Sequence, residues 1–322
     1  MKRILLVFIT LIIVKISYSA EPKDSLAKVI FSPNWTVQSQ FAGYYVAKAM
    51  GFYEKQGLDV EIKHPLSYQN ALNLLKEDKV DIAVLSFVDG LQQNDRDFEI
   101  KNLLQVIPRS TVYIISHKPV SGDIRNFDGM RIARWKWTYQ TIMPNIFKKL
   151  NVQVEWIPYL TGVNLFLSKS VDAITVMSYN ELQTIIETGY DINPDQLYSF
   201  ESSGYYIPED GLYAKNSYIK ENPEIIEKFR KASKEGWEWA MKNPEKTVEI
   251  IMQKAEKHNI STNAYHQRKM LATLAEFGVA SSNESFEVSE ENFNKLVTQL
   301  LELEIIKEKV EYNNFIYQSN ED

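Results

Sequence analysis

The stretch SPNWTVQSQFAGYYVAKAM, residues 32–50, gathers a tryptophan, a glutamine pair and several aromatics where a β-rich run gives way to a helical pattern. Trp35 falls at that junction. Ligands of open α/β sheets bind beyond the carboxyl ends of strands, so an indole there can stack on a flat heteroaromatic ring, worth about 0.5–1.5 kcal/mol beyond area burial. Its competing use is to cap the core. Gln40 and Phe41 open the helix, where backbone N–H groups are unpaired and the dipole is positive. Tyr44 and Tyr45 lie one turn on, and at most one of them can face the crevice. Ser86 ends the run DIAVLS and turns its hydroxyl toward the same space. RIARWKWTYQ, 131–140, puts Trp135 or Trp137 where either can close the other face of an aromatic sandwich, or simply sit in a surface turn. In SYNEL, 178–182, Asn180 and Glu181 follow a buried strand, where a core needs neither an amide nor an acid. Glu181 can accept a hydrogen bond from an amine or a protonated ring nitrogen. Its alternative role is the ordinary acid of a helix's first turn. Together these residues describe an acidic, aromatic pocket for a flat, amine-bearing, neutral or cationic molecule.

The elements that must position them alternate. AKVIFS (27–32), LDVEIK (58–63), DIAVLS (81–86) and VYIISH (112–117) read as strands, with amphipathic helical stretches between the first three. A second series follows from about residue 120: MRIARW, VQVEWIPY and VDAITVMS as strands, TIMPNIFKKLN, NLFLSKS and ELQTIIETG as helices. Strand–helix–strand spacing of this kind implies parallel sheets with right-handed crossovers, here in two similar α/β lobes. From residue 222 the pattern is helical. Asn222-Pro223-Glu224 and Asn243-Pro244-Glu245 each read as a capping Asn, Pro at the first helical position and an acid at the positive dipole end.

Composition narrows the function. The chain of 322 residues is acidic, net −6, and nowhere combines dense Lys/Arg with aromatics, which excludes nucleic acid as a partner. Residues 1–19 begin with Lys2 and Arg3, continue through the apolar run Ile4–Val14 and end in small residues, the layout of an export signal cleaved after Ser19. The run is shorter than the roughly 20 residues a membrane span needs. With no cysteine there is no disulfide, thiolate metal site, thiol nucleophile or lipid-attachment site, so a periplasm is the expected location. The four histidines have no metal-site spacing and no Gly-rich phosphate loop is present; neither a metal nor a cofactor is expected.

Five segments in order, NWTVQSQFAGYYVAKAMGFYEKQGLDVEI, KVDIAVLS, VDAITVMSYNEL, IPEDGLYA and NPEIIEKFRKASKEGWEWAMKNPEKTV, resemble the NMT1/THI5-like family of periplasmic solute-binding proteins. The resemblance covers about residues 27–255. It implies the type II periplasmic-binding-protein fold: lobe one from 25–115 plus 211–322, lobe two from 116–210, a C-terminal helical extension, and hinge crossings at Ser116–Pro119 and Ile207–Gly211. Glu209 and Asp210 of PEDG then become hinge residues that also face the cleft.

The resemblance implies a monomeric, non-enzymatic binding protein that hands a thiamine-pyrimidine precursor to an ABC permease. Its ligand set would be Trp35, Gln40, Phe41, Tyr44 and Ser86 from one lobe and Trp135, Asn180, Glu181 and Asp210 from the other lobe and the hinge. A second reading is a ligand-presenting sensory co-receptor. A third is a pyrimidine synthase like the eukaryotic relatives, which use a Lys and a His shortly after the third strand and a cysteine-rich segment before the hinge. DIAVLSFVDG holds neither Lys nor His, and SSGYYIPEDG holds no Cys.

Overall fold

The computed structural model describes residues 26–319 apart from 67–68, 95, 97, 137–138 and 282–285. The expected export segment and Trp137 lie outside the described residues. Ten strands are present: β1 Ala27–Ser32, β2 Leu58–Ile62, β3 Ile82–Ser86, β4 Ile100–Gln105, β5 Val112–Ser116, β6 Arg131–Trp135, β7 Glu155–Tyr159, β8 Ala173–Met177, β9 Leu197–Ser199 and β10 Asp210–Lys215. They form two five-stranded sheets, ordered β2-β1-β3-β10-β4 and β7-β6-β8-β5-β9. In each sheet four strands run the same way, and one strand from the other half of the chain inserts antiparallel at the fourth place. The strands beside the inserted ones, β3 and β8, are buried along nearly their whole length, as expected of apolar runs covered on both faces.

The insertions correct the expected division of the chain. VYIISH was assigned to lobe one, but β5 pairs with β8 and β9 in the second sheet. The first crossing therefore lies at 106–111, ahead of Ser116–Pro119, and the second runs from 200 to 209. Local sequence cannot reveal this, because a β-branched run fits either sheet equally well.

The C-terminal part also departs from expectation. Helices Pro223–Lys242, Pro244–Lys257 and Ala264–Glu276 pack on the first sheet. Helix Glu290–Glu302, assigned to lobe one, instead touches both lobes. Phe293 packs against Phe87 beyond β3, while Gln299 exchanges hydrogen bonds with the Tyr206 backbone, and Asn145 donates to Leu303 O at 2.8 Å. Its apolar side finds surface on each lobe, so it becomes a third connection between them.

Pro223 and Pro244 open their helices as expected, but the two asparagines do not cap them. Asn222 and Asn243 donate from Nδ2 to Tyr218 O and Trp239 O instead, closing the preceding helices. With one residue between consecutive helices, the side chain serves the orphan carbonyls behind it rather than the N–H groups ahead.

The two crossings are bonded to each other. Gln105 Nε2 donates to Ile107 O and Glu209 O, Val106 N and Ile107 N donate to Asp210 O, and Glu209 N donates to Ile107 O. Gly211 makes this approach possible: a Cβ there would lie 2.5 Å from Asn102 Nδ2 and 2.6 Å from Gln105 Oε1. Gly211→Ala is accordingly expected to cost about 1–3 kcal/mol by displacing these amides, read as a lowered urea midpoint. A midpoint equal to the parent's would refute the close packing at this position.

Candidate functional site

The parallel strands of both sheets deliver their carboxyl ends to the cleft between lobes. The inserted strands run the other way, so they contribute their beginnings: Asp210 pairs with Ser86 and Val112 with Met177. Antiparallel insertion is what brings an acid at the start of β10 to the same edge as residues at the ends of β1 and β3.

A cavity of about 70 Å³ sits between the lobes. The first lobe supplies Asn34, Trp35, Gln38, Gln40 and Asp210, and the second Trp135, Tyr139, Tyr179, Asn180 and Glu181, with Lys136, Leu160 and Met177 completing the lining. Asp210 accepts from Asn34 Nδ2 at 2.8 Å and from Gln40 Nε2 at 2.6 Å, and Gln38 donates to Gln40 Oε1. Asn34 Oδ1 is buried and has no partner among the described residues. Across the cleft, Glu181 accepts from Trp135 Nε1 at 3.3 Å and from Met177 N at 3.0 Å, so one carboxylate both closes the helix start and holds the indole. Trp135 stands 6.1 Å from Tyr139 and 5.9 Å from Tyr159 between ring centres, giving an aromatic wall.

Burial shapes the charges. The Asp210 carboxyl is pushed up to about 6, with the bonds from Gln40 and Asn34 opposing the shift. Glu209 is pushed up to about 8 by burial, opposed by its bonds from Thr111 N and Oγ1. Asp89, just beyond β3, is pushed up to about 6 by burial, and Glu181 is raised for the same reason. A cluster of carboxyls withdrawn from water favours their protonated forms until a cation arrives to replace the lost hydration.

Of the expected ligand residues, Trp35, Gln40, Trp135, Asn180, Glu181 and Asp210 line this cavity. Ser86 does not; it lines an adjoining chamber, where its hydroxyl accepts from Asp89 N at 3.1 Å. Phe41 and Tyr44 require correction, for both are core. The helix Ala42–Ala49 turns that face onto helix Pro223–Lys242, and Tyr44 meets the Trp237 ring edge-on at 5.6 Å. Tyr45 is buried too and bonds His64, whose other ring nitrogen lies 2.6 Å from Trp35 O. It steadies Trp35 from behind. Nor do the first N–H groups of this segment face the cleft: Ser39 N donates to Gln267 Oε1 and Phe41 N to Gln38 O. Asn34, Gln38, Tyr139 and Tyr179 went unnamed in the sequence reading, although Asn34 and Tyr179 adjoin residues that were named.

The cleft is also bridged at its edge. His266, on helix Ala264–Glu276 of the first lobe, lies 3.1 Å by Nε2 from Asn180 Oδ1 and 2.9 Å by Nδ1 from Glu187 Oε1 of the second. The structure is thus a closed arrangement with a polar clasp beside the cavity.

A family model described as "NMT1/THI5 like" matches residues 38–247. The formylaminopyrimidine-binding protein of Halalkalibacterium halodurans is 20% identical over 275 residues, covering 80% of each chain. The 4-amino-5-hydroxymethyl-2-methylpyrimidine phosphate synthase THI11 of Saccharomyces cerevisiae is 22% identical over 259 residues, 76% of each. Among solved structures, the periplasmic aliphatic sulphonate-binding protein SsuA of Escherichia coli superposes with a TM-score of 0.64 at 12% identity, covering 91% of this chain and 92% of that one. The fold is therefore that of the periplasmic binding proteins, and the chain belongs to the NMT1/THI5-like family.

Proposed function

We propose that the protein is the solute-binding component of an ABC importer, taking a flat, amine-bearing solute of the thiamine-pyrimidine precursor type between its lobes. The observation that carries this reading is the cavity itself: Asp210 and Asn34 on one lobe, Glu181 and Trp135 on the other, all directed at one small space. An exocyclic amine or protonated ring nitrogen supplies a donor to Asn34 Oδ1, which has none among the described residues, and a further one to the two carboxylates, and charge-assisted bonds of this kind contribute about 1.5–3 kcal/mol each. Contacts to both lobes make the ligand favour the closed form, which is what a permease would read. A monomer exported to a periplasm fits this role.

The synthase relatives favour a second reading, catalysis. The cavity chemistry supports it less. Among the described residues its lining contains no histidine, and its lysine, Lys136, comes from the second lobe, after β6 rather than after β3.

Native mass spectrometry of the purified protein, followed by identification of any released molecule, tests the proposal directly. An aminopyrimidine should be released, and Asp210→Asn and Glu181→Gln should each weaken its rebinding about ten- to hundredfold by calorimetry. A released anion or aliphatic solute would refute the pocket assignment.

The buried carboxyls give a separate expectation. Glu209 holds its proton to about 8 in the fold but titrates near 4 when unfolded, so the stability it contributes is complete below about 4 and is lost as pH rises through about 8. Glu209→Gln removes that titration. In the ligand-free protein the variant's melting temperature relative to the parent should climb between about pH 5 and 8 and level off above that. A difference independent of pH would show that Glu209 ionises normally.

A further inference from the structure

The cavity adjoins a second, larger space. Asn34, Trp35 and Leu160 line both, and the outer chamber measures about 580 Å³ against about 70 Å³ for the inner cavity. On this measure a water needs about 10–15 Å³, so the inner space admits a group no larger than one substituted six-membered ring. The outer chamber has room for a further group of at least that size.

Its walls have a definite chemistry. Pro65, Leu66, Leu72, Leu85, Leu160 and Ile260 make it largely apolar. Leu66 is 55% exposed and Leu160 51% exposed, so apolar surface stands wet at a concave site that adjoins the ligand cavity. Among the described residues one ionisable side chain interrupts these walls, Asp89, at the start of the helix Phe87–Asn94 that follows β3. Ser86 lies beside it, and burial raises its carboxyl against the opposing pull of the Ser86 hydroxyl and the Arg96 charge. An apolar chamber with one buried acid suits a flat group that carries positive charge, because the walls take the ring faces and the acid takes the charge. Asn34 and Trp35 stand where the two spaces adjoin, and Asn34 Oδ1 is unpartnered among the described residues.

We infer that the physiological solute has two parts, an amine-bearing ring in the inner cavity and, across a short bridge, a flat cationic group in the outer chamber with its charge toward Asp89. This rests on the ring-binding reading proposed above and names the class of solute more narrowly.

Calorimetry with two probes tests it: 4-amino-5-hydroxymethyl-2-methylpyrimidine, which has one ring, and thiamine, in which an aminopyrimidine is bridged to a cationic second ring. The two-ring probe should bind about tenfold or more tightly than the one-ring probe. Asp89→Asn should remove most of that gain and leave the one-ring affinity within about twofold. Leu66→Trp, at an exposed position that tolerates bulk, should do the same by filling the chamber. Equal affinities for both probes, or a two-ring advantage untouched by either variant, would overturn the two-part solute and leave the ring cavity standing. If neither probe binds at millimolar concentration, the ring-binding reading fails and this inference with it.

Discussion

Everything at the cleft depends on the bonded knot where the chain crosses twice between its lobes. Gln105 grips carbonyls of both crossings, and Glu209, buried on the second, grips Thr111 on the first. The knot fixes the start of β10 beside the end of β3, and so fixes Asp210. It also fixes the start of β5 beside the end of β8, where Met177 N meets Glu181. Two acids that lie on separate lobes are thereby brought to one cavity by the same few amides. Such a joint can flex only as a unit, since each crossing carries the hydrogen bonds of the other.

The chemistry of the cavity follows from competition between burial and charge. Aromatic rings from both lobes exclude water, which raises the cost of each ionised carboxyl. Asp210 offsets part of that cost with the amides of Asn34 and Gln40, and Glu181 with the Trp135 indole and the Met177 N–H. Against these two carboxyls the described lining sets a single cation, Lys136. The sulphonate-binding neighbour shares the fold, yet an anion placed between Asp210 and Glu181 would meet two acids in a site of low polarity. Fold alone therefore leaves solute class open, and the side chains decide it.

Seven of the ten strands were legible, because β-branched and aromatic runs bounded by turns carry a local signal. The others were not. β10, DGLYAK, is short in such residues and is a strand because β3 and β4 flank it. β5 was visible, but its sheet was not, since the partner that decides membership is some 60 residues away. The site shows the same division. Trp35, Trp135 and Glu181 were readable from their places at strand ends, whereas Phe41 and Tyr44 were misread because a helix's inward face is set by what it meets. That partner is Gly236 and Trp237, against which Gly43 lets the two helices approach: a Cβ on Gly43 would lie 2.2 Å from the Trp237 ring. Tyr139 and Tyr179 escaped notice because only the closure of two distant segments makes them neighbours.

The inserted strand bears on when the molecule can fold as well as on what it holds. Sheet one lacks its fourth strand until residue 215 is available, and its helical cover comes later still. Lobe two is continuous in β5–β9, yet part of its apolar surface waits for the helix Glu290–Glu302. Neither half can therefore complete itself in order of synthesis, and pairing over such long separations is slow. The second sheet can close once β9 has been made, whereas the first stays open until β10 has followed it, so the sheet that begins first is finished last.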